Sequence, residues 1–240
     1  MSWITEGLLE EHVYERVEIA PEGLYITCDT YFSNFNLKFN QVDFTYERIK
    51  TPLGVKLEIV SGEPHYKGKV WLEIARQIYC ENGKDDYREI GHFPSGAPFL
   101  YNEDVRISIS HTEGCLAVAT VPASPDSNLS EFSPSTALGV DVERADREKV
   151  TGLRARFLSE SELDIIPAES LEANVIAWTC KEAMLKAGMD PRIDWHHDII
   201  ITSLPAFEKE GSGFIRLNGE KFEFRLFTLK YEDFIITIAR

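Results

Sequence analysis

The stretch LGVDVE, Leu138 to Glu143, decides how the second half of this chain is read. In an extended chain successive side chains alternate, so Leu138, Val140 and Val142 share one face while Gly139, Asp141 and Glu143 share the other. The two carboxylates then sit about 6.6 Å apart along the strand and point the same way. One reading is a half-buried strand that shows its polar face to water. The other is a divalent-cation site that awaits a third oxygen ligand. The remainder of the chain has to choose between them.

At 240 residues the chain is long enough for one large domain or two small ones, and its 43% hydrophobic residues can fill a sizeable core. Cys28, Cys80, Cys115 and Cys180 are scattered with no Cys-x-x-Cys pair, which argues against a zinc site and a redox motif. Free thiols in a reducing, cytoplasmic setting are the expectation. The start, MSWITEGLLEEH, lacks a basic segment followed by an apolar one, so no secretory signal is expected. No apolar run is long enough to span a bilayer.

The net charge is −15, from 40 acidic against 25 basic residues. Such a surface repels nucleic acid and anionic lipid, and neither is expected as a partner. One segment runs the other way: Arg144, Arg147, Lys149, Arg154 and Arg156 stand against only Asp146 and Glu148. The plain reading of such a run is a solvated helix face.

Val121 to Thr136, VPASPDSNLSEFSPST, is rich in Ser and Pro and has no sustained period. It reads as a linker or long surface loop that divides residues 1–123 from residues 137–240, with 124–136 as the connection. Each half contains an alternating hairpin: VRISISH and CLAVAT around TEG in the first, KFEFRLFTLK and FIITIAR around YED in the second. The echo between them hints at two related halves. Ser159 to Glu162 has capping-box spacing, and Pro167 limits the length of the helix it would start. Ser170 is placed to cap a longer helix that ends at Gly188, with Pro191 beyond. In that helix Ile176, Cys180, Ala183 and Ala187 form a core stripe, and Trp178, Glu182 and Lys186 form a second stripe with Lys181 alongside. A first-half helix is expected from about Val70 to Cys80.

A hard cation such as Mg²⁺ takes oxygen ligands and is commonly completed by substrate phosphates. Asp141, Glu143 and Glu182 supply that set if the long helix packs across the strand. Lys181 and Lys186 would then neutralise a diphosphate. Glu182 and Lys186 at i, i+4 are also an ordinary helix pair, a reading that does not account for the strand acids.

These residues resemble the paired signature of the 4′-phosphopantetheinyl transferases, a Gly-x-Asp-x-Glu strand (GVDVE) followed by a Trp-x-x-Lys-Glu-x-x-x-Lys helix (WTCKEAMLK). Between them RARFLSESE, Arg154 to Glu162, is similar to the family's Arg-Phe-Phe-Ser-x-x-Glu segment, with Leu158 for the second Phe. Upstream, ISISHTEGCLAVA resembles the family's Ser-His hairpin and GAPFL, Gly96 to Leu100, its Gly-Lys-Pro element. The likeness spans roughly residues 96 to 188, and the first ninety or so residues align with nothing.

The resemblance implies an enzyme that moves 4′-phosphopantetheine from coenzyme A to a serine of an apo acyl or peptidyl carrier protein and releases adenosine 3′,5′-bisphosphate. It implies Mg²⁺ on Asp141, Glu143 and Glu182, with Glu182, or a water it orients, deprotonating the serine. Lys186 would contact the diphosphate and assist the leaving group, with Lys181 nearby, and Ser110 and His111 would bind the coenzyme. The length resembles the monomeric, two-half, surfactin-synthetase-activating type, which implies an α+β fold. Its two similar halves are related by a pseudo-twofold, each an antiparallel sheet packed on a long helix. The family's Gly-Lys-Pro lysine is Ala97 here, so Arg76 or Arg106 would have to substitute or the coenzyme would be held more weakly. Carrier proteins are acidic, so Arg144, Arg147, Lys149, Arg154 and Arg156 become the expected docking surface.

Two motifs are set aside. The adjacent histidines of DWHHD, Asp194 to Asp198, diverge in any regular structure, and His111 beside Ser110 lacks a nucleophile elbow. The alternatives are a Mg²⁺-dependent diphosphate hydrolase and a non-catalytic coenzyme A or carrier-binding homologue.

Overall fold

A computed structural model describes residues 24–25, 43–62, 71, 90–101, 104–123 and 127–240. The chain is α+β, with antiparallel sheets and few helices. The first sheet has the order β1-β2-β3-β7-β6, from Leu24–Tyr25 (β1), Asp43–Lys50 (β2), Lys56–Gly62 (β3), Val105–Thr112 (β6) and Cys115–Pro122 (β7). A two-stranded ribbon pairs Ile90–His92 (β4) with Pro98–Leu100 (β5). The second sheet has the order β8-β12-β11-β10-β9, from Gly139–Arg144 (β8), Ile199–Ser203 (β9), Lys209–Leu217 (β10), Glu220–Tyr231 (β11) and Phe234–Ala239 (β12). Three α-helices lie between β8 and β9: Arg154–Phe157 (α1), Glu160–Ile165 (α2) and Leu171–Gly188 (α3).

Both hairpins expected from alternation are present. β6 and β7 turn at Gly114, whose φ of +87° favours glycine, and β11 and β12 turn at Glu232. The helix signals also hold. In α2 the Ser159 N–H donates to Glu162 Oε2 at 2.8 Å, and at the start of α3 the Ala173 N–H donates to Ser170 Oγ at 3.1 Å. The long helix ends at Gly188 as expected, although the glycine does not supply the turn. It is the last helical residue, Met189 takes the left-handed conformation (φ 55°), and a Cβ at Gly188 would come within 2.5 Å of Ile193 Cδ1. That glycine provides room for Ile193 rather than a turn.

The Ser/Pro-rich stretch has no helix or strand from Ser127 to Leu138, and buried Arg106 on β6 holds it by donating to Leu129 O, Glu131 O and Thr136 O. The expected helix over Val70–Cys80 lies outside the described residues apart from Trp71, which is helical and buried. Cys28 and Cys80 also lie outside them, while Cys115 and Cys180 are buried free thiols. Among the described residues no helix is long and apolar enough to cross a membrane.

Strand β8 is buried on both faces. Leu138, Val140 and Val142 join Leu57, Ile59, Ala117, Ile236 and Ile238 in one core, which packs the first sheet against the second. The opposite face, which carries Gly139 and Asp141, meets α3. Its Cys180, Ala183 and Ala187 belong to a second core with Ile199, Ile215 and Ile235. A Cβ at Gly139 would lie 1.8 Å from Ala183 O and 2.8 Å from Ala187 N. The water-facing reading is therefore wrong for Asp141, which lies under α3 and is only 4% exposed, while Glu143 is half-buried.

The two sheets also touch edge to edge. β6 and β8 share no ladder; instead Val140 N–H donates to Ser108 Oγ at 3.0 Å and Val142 N–H to Ser110 Oγ at 3.3 Å. The serines satisfy amides that a bare sheet edge would leave open. Replacing Gly139 by Ala forces the helix off the strand, and we expect a loss of about 3 kcal/mol or more in urea unfolding, with a Tm lowered by about 6 °C or more. An unchanged midpoint would mean that the close approach is not obligatory.

Candidate functional site

Where α3 crosses β8, the residues that precede its two contact alanines overhang the strand. Lys186 Nζ donates to Asp141 Oδ1 at 2.7 Å and to Val140 O at 3.0 Å. Asp141 Oδ1 also accepts from Ser110 Oγ at 2.8 Å, while its Oδ2 is buried and has no hydrogen-bond partner. Glu182 is near enough to feel this charge. Burial, then the Asp141 carboxylate, push its carboxyl up to about 7, against the opposing pull of Lys186 and Arg147.

Glu143, on the same face of the strand, pairs with Arg147, whose guanidinium lies 5.2 Å from the centre of the Trp178 ring. Among the described residues no group of three or more His, Cys, Asp or Glu side chains stands close enough to hold a metal ion. The expected three-acid cluster is thus not assembled. Asp141 and Glu182 interact, and Arg147 engages Glu143. Asp141 and Glu182 nevertheless suit a hard dication: both donors are oxygens, one oxygen is buried without a partner, and the Asp141 carboxylate disfavours the charged form of Glu182.

His111 is an exposed residue whose ring is partly desolvated by its neighbours; this desolvation, then Lys186, lower its pKa against the influence of Asp141. A cavity of about 430 Å³ adjoins Lys186, lined by the Ser95–Pro98 turn, Ile107, Leu185, Met189 and Trp195. Ala97 is part of that turn, and Arg106 lines the same cavity. Arg106 does not take over as the coenzyme's base. It is 2% exposed, and its guanidinium already serves three loop carbonyls.

Three further residues behave differently from their sequence reading. Lys181 does not face the site. It is 0% exposed, and its ammonium is shared among Glu162 Oε2, Trp195 O and Ile199 O, because one residue along a helix is a rotation of about 100°. Ser110 is 6% exposed and bonds to Asp141 and Val142 rather than opening to a ligand. Arg154 turns inward to Ile166 O at 2.7 Å and to Asn174 Oδ1, which withdraws it from any docking surface. Glu162 was legible only as a capping residue; in the fold it is the fully buried partner of Lys181 and also accepts from Ile201 N–H at 2.7 Å. In DWHHD, Asp194 Oδ1 accepts from the His196 and His197 amides at 2.9 and 2.8 Å, closing a local turn.

Because the folded-state pKa of Glu182 lies above its ordinary 4.5, the folded protein binds more protons than the unfolded one between pH 4.5 and about 7. Stability from this group is therefore greatest at low pH and is lost as pH rises through that window, by about 2–3 kcal/mol. Glu182→Gln removes the titration. In urea unfolding without added metal, the variant should gain about 2 kcal/mol more over wild type at pH 8 than at pH 5. Equal differences at both pH values would show that Glu182 does not sit in this field.

No curated protein matches the chain. Residues 137–239 match the family model for the 4′-phosphopantetheinyl transferase superfamily. This segment holds β8, α3 and all of the second sheet. The match thus shows a likeness of this segment to a superfamily of phosphopantetheinyl transferases.

Proposed function

We propose that this protein transfers 4′-phosphopantetheine from coenzyme A to a serine hydroxyl of an apo acyl or peptidyl carrier protein, with adenosine 3′,5′-bisphosphate as the leaving group. One observation carries the reading. Within the segment that matches the superfamily, α3 brings Glu182 and Lys186 over Asp141, whose buried Oδ2 has no partner. Asp141 and Glu182 would hold Mg²⁺, with Glu143 joining once it leaves Arg147. The ion would supply positive charge to the coenzyme's diphosphate.

The remaining steps fall to side chains. Glu182, or a water it orients, is placed to accept the serine proton. The serine oxygen then bonds to the phosphorus that bears the pantetheine arm, and the bond from that phosphorus to the bridging diphosphate oxygen breaks. Lys186, 30% exposed at the rim of the cavity, stabilises the departing phosphate. His111, exposed on the same side, contacts a coenzyme phosphate, and the cavity takes part of the coenzyme.

We read the chain as a cytoplasmic monomer of the two-half type, with halves at residues 1–123 and 137–240 joined through 124–136. The two five-stranded antiparallel sheets, one on each side of that connection, support this. Mass spectrometry after incubation with coenzyme A, Mg²⁺ and a panel of apo carrier proteins is the test. The expected result is a phosphopantetheine mass gain on the carrier serine, reduced at least about a hundredfold by Asp141→Ala. Free phosphopantetheine would mean hydrolysis instead, and no turnover at all would leave a binding protein.

The docking surface is narrower than the basic run suggests. Arg154 is turned inward and Arg147 is shared with Glu143, while Lys149 and Arg156 are exposed and Arg144 is half-buried beside exposed Asp146. Within a −15 chain these bases provide the sign an acidic carrier protein needs. Reversing Lys149 and Arg156 to Glu should raise KM for the carrier about tenfold and leave KM for coenzyme A alone. An unchanged carrier KM would remove these residues from the interface.

A further inference from the structure

We infer that Ser110 is a positioning residue: it holds the Asp141 carboxylate in the orientation that leaves Oδ2 without a donor and so available to a cation. The inference rests on the reading of Asp141 as a cation ligand and adds the residue that prepares it.

Ser108 and Ser110 lie on the same face of β6, toward the edge of β8. As acceptors they are equivalent, since Ser108 Oγ takes the Val140 N–H at 3.0 Å and Ser110 Oγ takes the Val142 N–H at 3.3 Å. They differ in what their own protons do. A hydroxyl has one proton to give, and Ser110 gives it to Asp141 Oδ1 at 2.8 Å. Lys186 Nζ reaches that same oxygen at 2.7 Å. Two donors on Oδ1 fix the plane of the carboxylate, whose terminal torsion is otherwise broad, and place both hydrogen bonds on one side. The buried Oδ2 is left without a partner. Lys186 alone is a weaker constraint, because it is a flexible side chain at a partly exposed position.

Ser108 therefore serves as an internal control for Ser110. Removing either hydroxyl leaves one β8 amide without its acceptor, so Ser108→Ala and Ser110→Ala should lose similar stability in urea unfolding. Only Ser110→Ala should also release the carboxylate. The readout is Mn²⁺ binding by the full chain in the presence of coenzyme A, followed by the loss of the free-ion EPR signal. We expect Ser110→Ala to weaken Mn²⁺ about tenfold or more, Ser108→Ala to bind as wild type does, and Ser110→Thr to recover most of the loss. Should Ser110→Ala not fold, Ser110→Cys keeps the size with a much weaker donor and is expected to show the same weakening. Equal Mn²⁺ affinity in the two serine variants, or no recovery in a stably folded Ser110→Thr, overturns the positioning role while leaving Asp141 as a ligand. If wild type takes up no Mn²⁺, the ligand assignment itself fails, and the inference falls with it.

Discussion

The architecture turns on one close approach between backbones. A helix normally stands off a strand by the thickness of the side chains between them, and at Gly139 there is none. A Cβ there would fall almost on the Ala183 carbonyl. With Ala183 and Ala187 seated against the strand, both the height and the rotation of α3 are fixed, since residues four apart stack on one helix face. Glu182 and Lys186 each precede one of those alanines and so extend over the edge of β8, where Asp141 lies two residues beyond the glycine. The glycine of the strand motif thus acts through space: it admits the helix that carries the remaining site residues.

Charge placement separates the site from the scaffold. The chain is strongly acidic, yet it buries carboxylates, and elsewhere among the described residues these have partners. Glu162 accepts from Ile201 N–H on one oxygen and from Ser159 and Lys181 on the other. Arg48 and Lys56 pair with buried Glu58. Asp141 alone among these has a buried oxygen without any donor. A buried carboxylate oxygen without a donor is costly, and this cost is what the proposed cation would relieve.

The legible part of the sequence was set by short-range physics. Caps, hairpin turns and the alternation of β8 depend on residues a few positions apart, so Ser170, Ser159, Gly114 and the two faces of LGVDVE were legible at once. The approach of α3 to β8 was implied by two motifs, but the pairing of Lys186 with Asp141 was not, since that lysine was expected on a diphosphate. Long side chains were the failures. Lys181, Arg154 and Arg106 carry charges suited to solvent or ligand, yet each folds back to serve carbonyls that loops and helix ends leave unpaired. Nothing local distinguishes such a base from one that faces a phosphate, because the partner carbonyls lie 12 to 30 residues away. The exchange of Glu143 from a cation to Arg147 is a choice of partner four residues on, and sequence spacing permits either.

The position of the site at the seam between sheets gives its chemistry leverage. β8 belongs to the second sheet through its ladder with β12 and is tied to the first through two serine hydroxyls. A sixth ladder strand would have paired the same amides but offered no proton to Asp141. A hydroxyl can accept from an amide and still donate to a carboxylate, so the contact that joins the sheets also orients an acid between them. Apolar residues flank that acid on the opposite face of the strand and on the helix above, so its field is poorly screened. A positive group brought there meets a stronger attraction than the same acid would exert at the surface. The seam therefore concentrates on one oxygen an electrostatic demand that the other buried carboxylates among the described residues do not carry.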